Sequence, residues 1–274
     1  MAVKRYYAKI DNTITNAFEE NLTTRGTGSN MGASDILEVF SIYAQANSSS
    51  AEESRALLKF NATASTDSIT ADRTAGTIPA SGSVSFYLRM FNAKHGQTLP
   101  KDFTMDVSAI SGSWEEGTGL DMEAYKDKDE SNWVNATSTS AAATATITVL
   151  NEGYIENGDT ITLIATDGTT VVATATATTN TSTAQTTAVQ FSREGPIDEP
   201  ALATLIATAI NFSSFFSATA TDAVVTITQA TAGRGGNTTV TCVDGGGTGP
   251  WFSNTNFTGG NGTWATQGGD YYTD

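Results

Sequence analysis

The sequence predicts a mainly β protein: a jelly-roll β-sandwich of residues 1–137 and 250–274, interrupted by a small inserted α+β domain at 138–249. Three observations lead there. Apolar residues alternate with period two in short runs separated by Gly, Ser and Asn loops, as they do on half-buried strands. Helical periodicity is confined to one stretch near 199–212. Two tryptophan signatures, Ser113-Trp114-Glu115-Glu116-Gly117-Thr118-Gly119 and Asn132-Trp133-Val134-Asn135-Ala136, resume beyond an Ala/Thr-rich tract as Gly262-Thr263-Trp264-Ala265-Thr266-Gln267-Gly268-Gly269-Asp270-Tyr271. That continuation places Trp133 and Trp264 in a single β-fold, with the tract spliced between.

Taken in order, Val3 to Ile14 alternate loosely and predict an opening strand. Thr24 to Gly32 is a loop by composition. Asp35 to Tyr43 is a strand rich in Ile, Leu, Val and Phe, and Asn47 to Glu53 a polar turn. In Arg55 to Asn61, Ala56, Leu58 and Phe60 share one face of a strand and Arg55, Leu57 and Lys59 the other. Val84, Phe86, Leu88 and Met90 then alternate with Ser85, Tyr87, Arg89 and Phe91, the clearest period-two segment of the chain. Phe103, Met105 and Val107 alternate again before the first tryptophan signature. Strands of this spacing fit a sandwich or jelly roll.

The tract from Ser138 opens as Ser/Thr/Ala low complexity, a linker or an extended strand. Ile147 and Val149, Ile161 and Leu163, and Val171 to Thr178 predict three strands, with Asn157-Gly158-Asp159 and Asp167-Gly168 supplying turns, the latter a two-residue hairpin signal. Asp198 or Glu199 caps a helix with Pro200 in its first turn. Leu202, Leu205, Ile206, Ala209 and Ile210 give its apolar stripe. Strands over Ala223–Gln229 and Thr238–Val243 complete the module, and Gly245 to Gly249 is the hinge back.

Composition excludes several functions. Fourteen Lys+Arg stand against 29 Asp+Glu, a net charge of −15. Such a surface repels phosphate backbones, so nucleic acid is not a partner. No stretch approaches the ~20 apolar residues of a membrane span, and no secretory h-region follows Met1. The Asn-x-Ser/Thr sites at Asn61, Asn135, Asn256 and Asn261 therefore carry no meaning. Cys242 is the single cysteine, a small apolar residue in an alternating run rather than a reactive thiol.

Candidate chemistry is sparse. Glu115 and Glu116 are adjacent, so on a strand they point to opposite faces and cannot flank one glycosidic bond. His95 has no second histidine for a zinc site, and no Gly-x-Ser-x-Gly elbow accompanies it. The acidic run Asp121 to Glu130 could offer oxygen ligands to calcium, but EF-hand spacing fails and a solvated loop is the simpler reading. No catalytic residue, metal site or cofactor is expected.

The succession Asn30-Met31-Gly32, Ser54 to Phe60, Val84 to Leu88, Trp114 to Gly119, Trp133 to Ala136 and Trp264 to Tyr271 resembles the DNRLRE family. That family consists of carbohydrate-binding-module-like jelly rolls. Two departures accompany the resemblance. The last two motifs are separated here by the inserted tract, and the family pattern continues past Gly-Gly-Asp-Tyr whereas this chain stops at Asp274. The resemblance implies a sandwich short of strands, which a neighbouring chain would supply by strand addition. Phe216 to Ala220, Val224 to Gln229 and Gly236 to Thr238 resemble a module of tailed-phage structural proteins.

These resemblances imply a non-enzymatic virion protein, assembled in the host cytoplasm: a capsid decoration, neck, collar or tail component. Its partners would be itself and other virion proteins. The alternative is a glycan-binding adhesin module for host attachment. Trp251, Phe252, Phe257, Trp264, Tyr271 and Tyr272 form the densest aromatic cluster. Of these, Trp251, Phe257, Trp264, Tyr271 and Tyr272 are the candidate contact residues, for a carbohydrate or for another subunit. A filled core with the final tyrosines at a subunit contact is the other reading.

Overall fold

The computed structural model describes residues 3–62, 66, 68–79, 82–94, 96, 102–120, 130–177, 187–193, 198–246 and 249–272. The protein is mainly β, with several sheets. It divides into two compact units, residues 1–134 with 271–274, and residues 135–270.

The first unit holds a three-stranded antiparallel sheet in the order β1-β3-β2: β1 is Ala8–Thr15, β2 Ser41–Tyr43 and β3 Ala51–Phe60. Thr13 lies opposite Ala56, and Ser41 opposite Glu53. The predicted strand over Asp35 to Tyr43 shrinks to its last three residues. Upstream, one backbone bond remains, Ser54 N–H to Phe40 C=O (3.0 Å), and side chains supply further ones. Glu38 N–H donates to Thr13 Oγ1 (3.1 Å) and Phe40 N–H to Ser54 Oγ (2.8 Å). Alternation along β3 breaks where Glu52 and Ser54 face inward but so does Leu57. The expected assignment of its faces therefore holds only in part. A short helix α1, Ile69–Thr74, is capped by the Ser68 hydroxyl, which accepts from Ala71 N–H.

Two expectations fail in this unit. Val84 to Phe91 and Phe103 to Val107 are not paired strands in the structure. Their large apolar side chains are exposed, save the half-buried Val84. Alternation equips a segment to be a strand, but only a partner edge makes it one.

The second unit closes on itself. Strands β4 (Thr144–Val149), β5 (Thr160–Ile164), β6 (Thr170–Thr176), β7 (Ala188–Ser192), β8 (Phe216–Thr221), β9 (Val224–Gln229), β10 (Thr241–Val243) and β11 (Phe252–Asn254) form two four-stranded sheets, β10-β5-β6-β7 and β11-β4-β9-β8. Among the described strands, only β6 and β7 pair in parallel. Inward positions are Ala145, Ile147, Val149, Ile161, Leu163, Val171 and Ala173, while threonines take the outward ones. Both sheets and helix α2 (Glu199–Ile210) share one apolar core.

Helix α2 begins as the sequence predicts. The Asp198 carboxylate accepts from Ala201 N–H (2.9 Å), Pro200 sits in the first turn, and Leu202, Ile206, Ala209 and Ile210 are buried. The β5–β6 connection is longer than a two-residue hairpin: Ala165 N–H donates to Thr169 C=O (2.8 Å) and Gly168 takes φ +86° at its tip. Glycine is required there because other L-residues are strained at that φ.

The domain boundaries need correction. They fall after Val134 and Asp270, not at 137/138 and 249/250, so residues 250–270 belong with the α+β strands. β11 pairs antiparallel with β4, Phe252 opposite Val149. Asn237 grips Gly260 twice, its Nδ2 donating to the carbonyl (3.0 Å) and its Oδ1 accepting the N–H (2.8 Å). Trp133 therefore lies in the first unit and Trp264 in the second, contrary to the single β-fold expected from their signatures.

Candidate functional site

The five aromatic candidates do not form one platform. Trp251 is fully buried in the core of the second unit, its ring edge-on to Phe252 at 4.6 Å and 6.3 Å from Phe191. Phe257 is also buried and stacks on Phe216 at 5.6 Å. Trp264 is buried beneath the Arg234 guanidinium (5.0 Å), which also meets the Asp270 carboxylate at 3.7 Å. A buried ring has no face to offer a sugar, so Trp251, Phe257 and Trp264 are structural.

Tyr271 and Tyr272 are exposed and belong to the first unit. Arg55 lies between two rings there, 4.8 Å from the Trp133 centroid and 4.9 Å from that of Tyr271. It also pairs with Glu53 at 2.8 Å. Tyr272 N–H donates to Ala109 C=O (2.9 Å). The adjacent residues Asp270 and Tyr271 thus each engage an arginine, one in either unit. Arginine suits both places because its planar cation can stack and form ion pairs together.

The Asn30-Met31-Gly32 and Trp114-to-Gly119 signatures meet in a buried polar node that Asn12 and Ser131 complete. Asn12, Asn30 and Ser131 are fully buried. Asn12 Nδ2 donates to Ser131 C=O (2.9 Å) and to its hydroxyl oxygen (2.7 Å), while Asn12 Oδ1 accepts from Met31 N–H (2.8 Å). Asn30 Oδ1 accepts from Gly119 N–H (2.8 Å), and Ala33 N–H donates to Gly119 C=O (2.8 Å). Glycine is needed because backbone meets backbone: a Cβ on Gly32 would lie 1.8 Å from the Glu116 carbonyl oxygen, and one on Gly119 would lie 2.0 Å from that of Asn30. The sequence shows these motifs but not that they clasp one another.

Carboxylates are engaged in structure. Glu116 Oε1 accepts from Asp11 N–H (3.0 Å). Burial raises the Asp11 carboxyl above its ordinary range, and the Glu116 charge adds to the rise. Asp159 is buried, with one oxygen on Gly245 N–H and the other on Glu156 N–H, each at 2.8 Å. Burial pushes the Cys242 thiol up to about 12, which keeps it protonated and poorly nucleophilic. His95 and the acidic run 121–129 lie outside the described residues.

A cleft of about 190 Å³ opens beside Thr166, Asp167, Ser214, Phe215, Gln229 and Thr231. It is smaller than the ~300–1,000 Å³ usual for small-molecule sites. Its walls bond to each other: Gln229 Oε1 accepts from Thr166 N–H (3.1 Å), and Thr166 Oγ1 donates to Thr231 C=O (2.8 Å).

The feature that stands out is on the first unit. Phe86, Tyr87, Leu88, Met90, Phe91, Phe103, Met105 and Val107 are all exposed. Single exposed apolar residues are ordinary, but a run of them marks an interaction surface. The sequence marks these segments by their alternation, which predicts half-buried strands.

No family model, curated protein or solved structure matches this chain.

Proposed function

We propose that this chain is a non-enzymatic structural protein of a virus particle, a capsid decoration, neck, collar or tail component of a tailed phage. The first unit docks, and the second projects. The exposed apolar residues of Phe86 to Phe91 and Phe103 to Val107 carry this reading. A chain with charge −15 stays soluble as a free subunit, and such a run finds its use in an assembly that covers it.

On this reading the first unit is a jelly roll, as the DNRLRE resemblance implies, and its segments 84–91 and 103–107 pair as strands on assembly. The resemblance of 216–238 to a tailed-phage module supports the virion setting. The second unit, with its closed core and threonine-rich outer faces, suits a projecting module.

The test is mass spectrometry of purified particles from the host that carries the gene. The chain should be present in stoichiometric amount. Its absence from washed particles would refute the proposal.

A further inference from the structure

The run of exposed side chains also indicates what covers it. The segment 82–94 and the segment 102–108 make no backbone hydrogen bond to another described residue. Yet the two are complementary. Within 82–94 the charged residues are Arg89 and Lys94, and within 102–108 they are Asp102 and Asp106. Among the described residues none of these four forms an ion pair; Arg89 instead stacks on Phe91 at 4.6 Å.

Charge and hydrophobicity select the same register. Placed antiparallel with Arg89 opposite Asp106, the segments bring Leu88 opposite Val107 and Met90 opposite Met105. Because side chains alternate, Val84, Phe86, Leu88 and Met90 then share one face with Phe103, Met105 and Val107. A slip by one residue separates both sets.

The area is sufficient. Phe86, Tyr87, Phe91 and Phe103 are exposed by 58%, 88%, 78% and 66%. At ~200 Å² for each aromatic side chain they alone present roughly 600 Å². The four aliphatic residues bring the total near the ~800 Å² that each partner contributes to a stable interface.

Resting on the view of this surface as a docking face, we propose that its occupant is a second copy of this chain, joined by reciprocal strand pairing. Residues 87–93 of one copy pair antiparallel with 102–108 of the other, and the two-fold repeats the contact. Each copy carries both halves of the complementary pair, so an isologous interface satisfies both at once. A partner of different sequence that matched one segment would leave the other uncovered.

Sedimentation velocity and light scattering on the full chain test this. The wild-type chain should run as a dimer or a multiple of it. R89E places like charges opposite each other at both symmetric contacts, as does D106R, and each should weaken association at least tenfold. Mixing the two variants restores opposite charges across the interface, so the mixture should associate where neither variant does alone.

That rescue excludes misfolding as the cause, since two misfolded variants would not regain a specific complex. A monomeric wild-type chain, variants that still dimerise, or a mixture that stays monomeric would each overturn the proposal. Pairing of the two segments within one chain gives the first and the last of these results. If copies fail to associate but the chain is abundant in particles, the occupant is wrong and the virion reading survives. If copies dimerise as described but particles lack the chain, the occupant stands and the virion reading falls.

Discussion

Gly32→Ala tests the clasp between the Asn30 and Trp114 signatures with one methyl group. The backbone of Gly32 lies outside the left-handed region, so alanine meets no conformational penalty there. The added Cβ, however, would sit 1.8 Å from Glu116 O, 2.5 Å from Glu116 C and 2.5 Å from Gly117 O. All three are main-chain atoms, and no rotamer change moves them. The two segments must part by roughly 1.5 Å to restore van der Waals separation. Two contacts of 2.8 Å, Ala33 N–H to Gly119 C=O and Gly119 N–H to Asn30 Oδ1, then stretch past hydrogen-bonding distance.

Leaving these buried groups unpaired costs about 1–3 kcal/mol each, so Gly32→Ala should destabilise the first unit by roughly 2–6 kcal/mol. Urea unfolding read by hydrogen exchange and mass spectrometry follows the two units separately. Protection should fall in β1 and β3 and persist in β4, β5, β6 and β9. Gly76→Ala is the control: its φ of +70° strains alanine, but nothing lies within 4 Å, so the cost should stay near ~1–2 kcal/mol. A Gly32→Ala protein within 0.5 kcal/mol of wild type, a margin about the size of ordinary surface substitutions, would refute the clasp.

Four further outcomes are expected. Trp251→Ala should cost about 3–5 kcal/mol and loosen only the second unit, because the indole is fully buried in that core; chemical denaturation measures it. Asp159→Ala removes two charge-assisted bonds to Gly245 and Glu156 N–H and should cost on the order of 3 kcal/mol by the same assay. Asp11→Asn should stabilise the protein at pH 7. The folded-state pKa of Asp11 is raised, so its contribution is fully present below the unfolded value and is lost as pH rises through the folded one; unfolding midpoints of the two proteins should converge as pH falls below the ordinary carboxylate range. The Cys242 thiol, held up near 12, should resist a thiol-specific reagent at pH 8 until denaturant is added. The same shift implies stability falling between the unfolded thiol pKa and about 12, since the unfolded chain loses its proton first.

How much of this was legible in the sequence varies by segment. The Ala/Val/Ile alternation with Thr in β4, β5 and β6 reads directly as strands because each has its partner in the same unit and one solvated face. Helix α2 was legible for a related reason: Asp198, Pro200 and the stripe from Leu202 to Ile210 act within a few turns. Strands β7, β8 and β11 were not singled out as strands. The polar node was invisible as a site, because Asn12, Asn30 and Ser131 are far apart in sequence and their value lies in meeting.

By itself, then, the sequence determined that this is a mainly β, strongly acidic chain, with one capped helix and inward faces marked residue by residue. Only the tertiary structure decided whose interior each face meets. It seats Trp251 and Phe257 in the core of the second unit, parts Trp133 from Trp264, and leaves Phe86 to Phe91 and Phe103 to Val107 at the surface. The physical reason is that alternation is a local property of a segment, whereas burial and strand pairing depend on long-range contacts whose partners the pattern does not name.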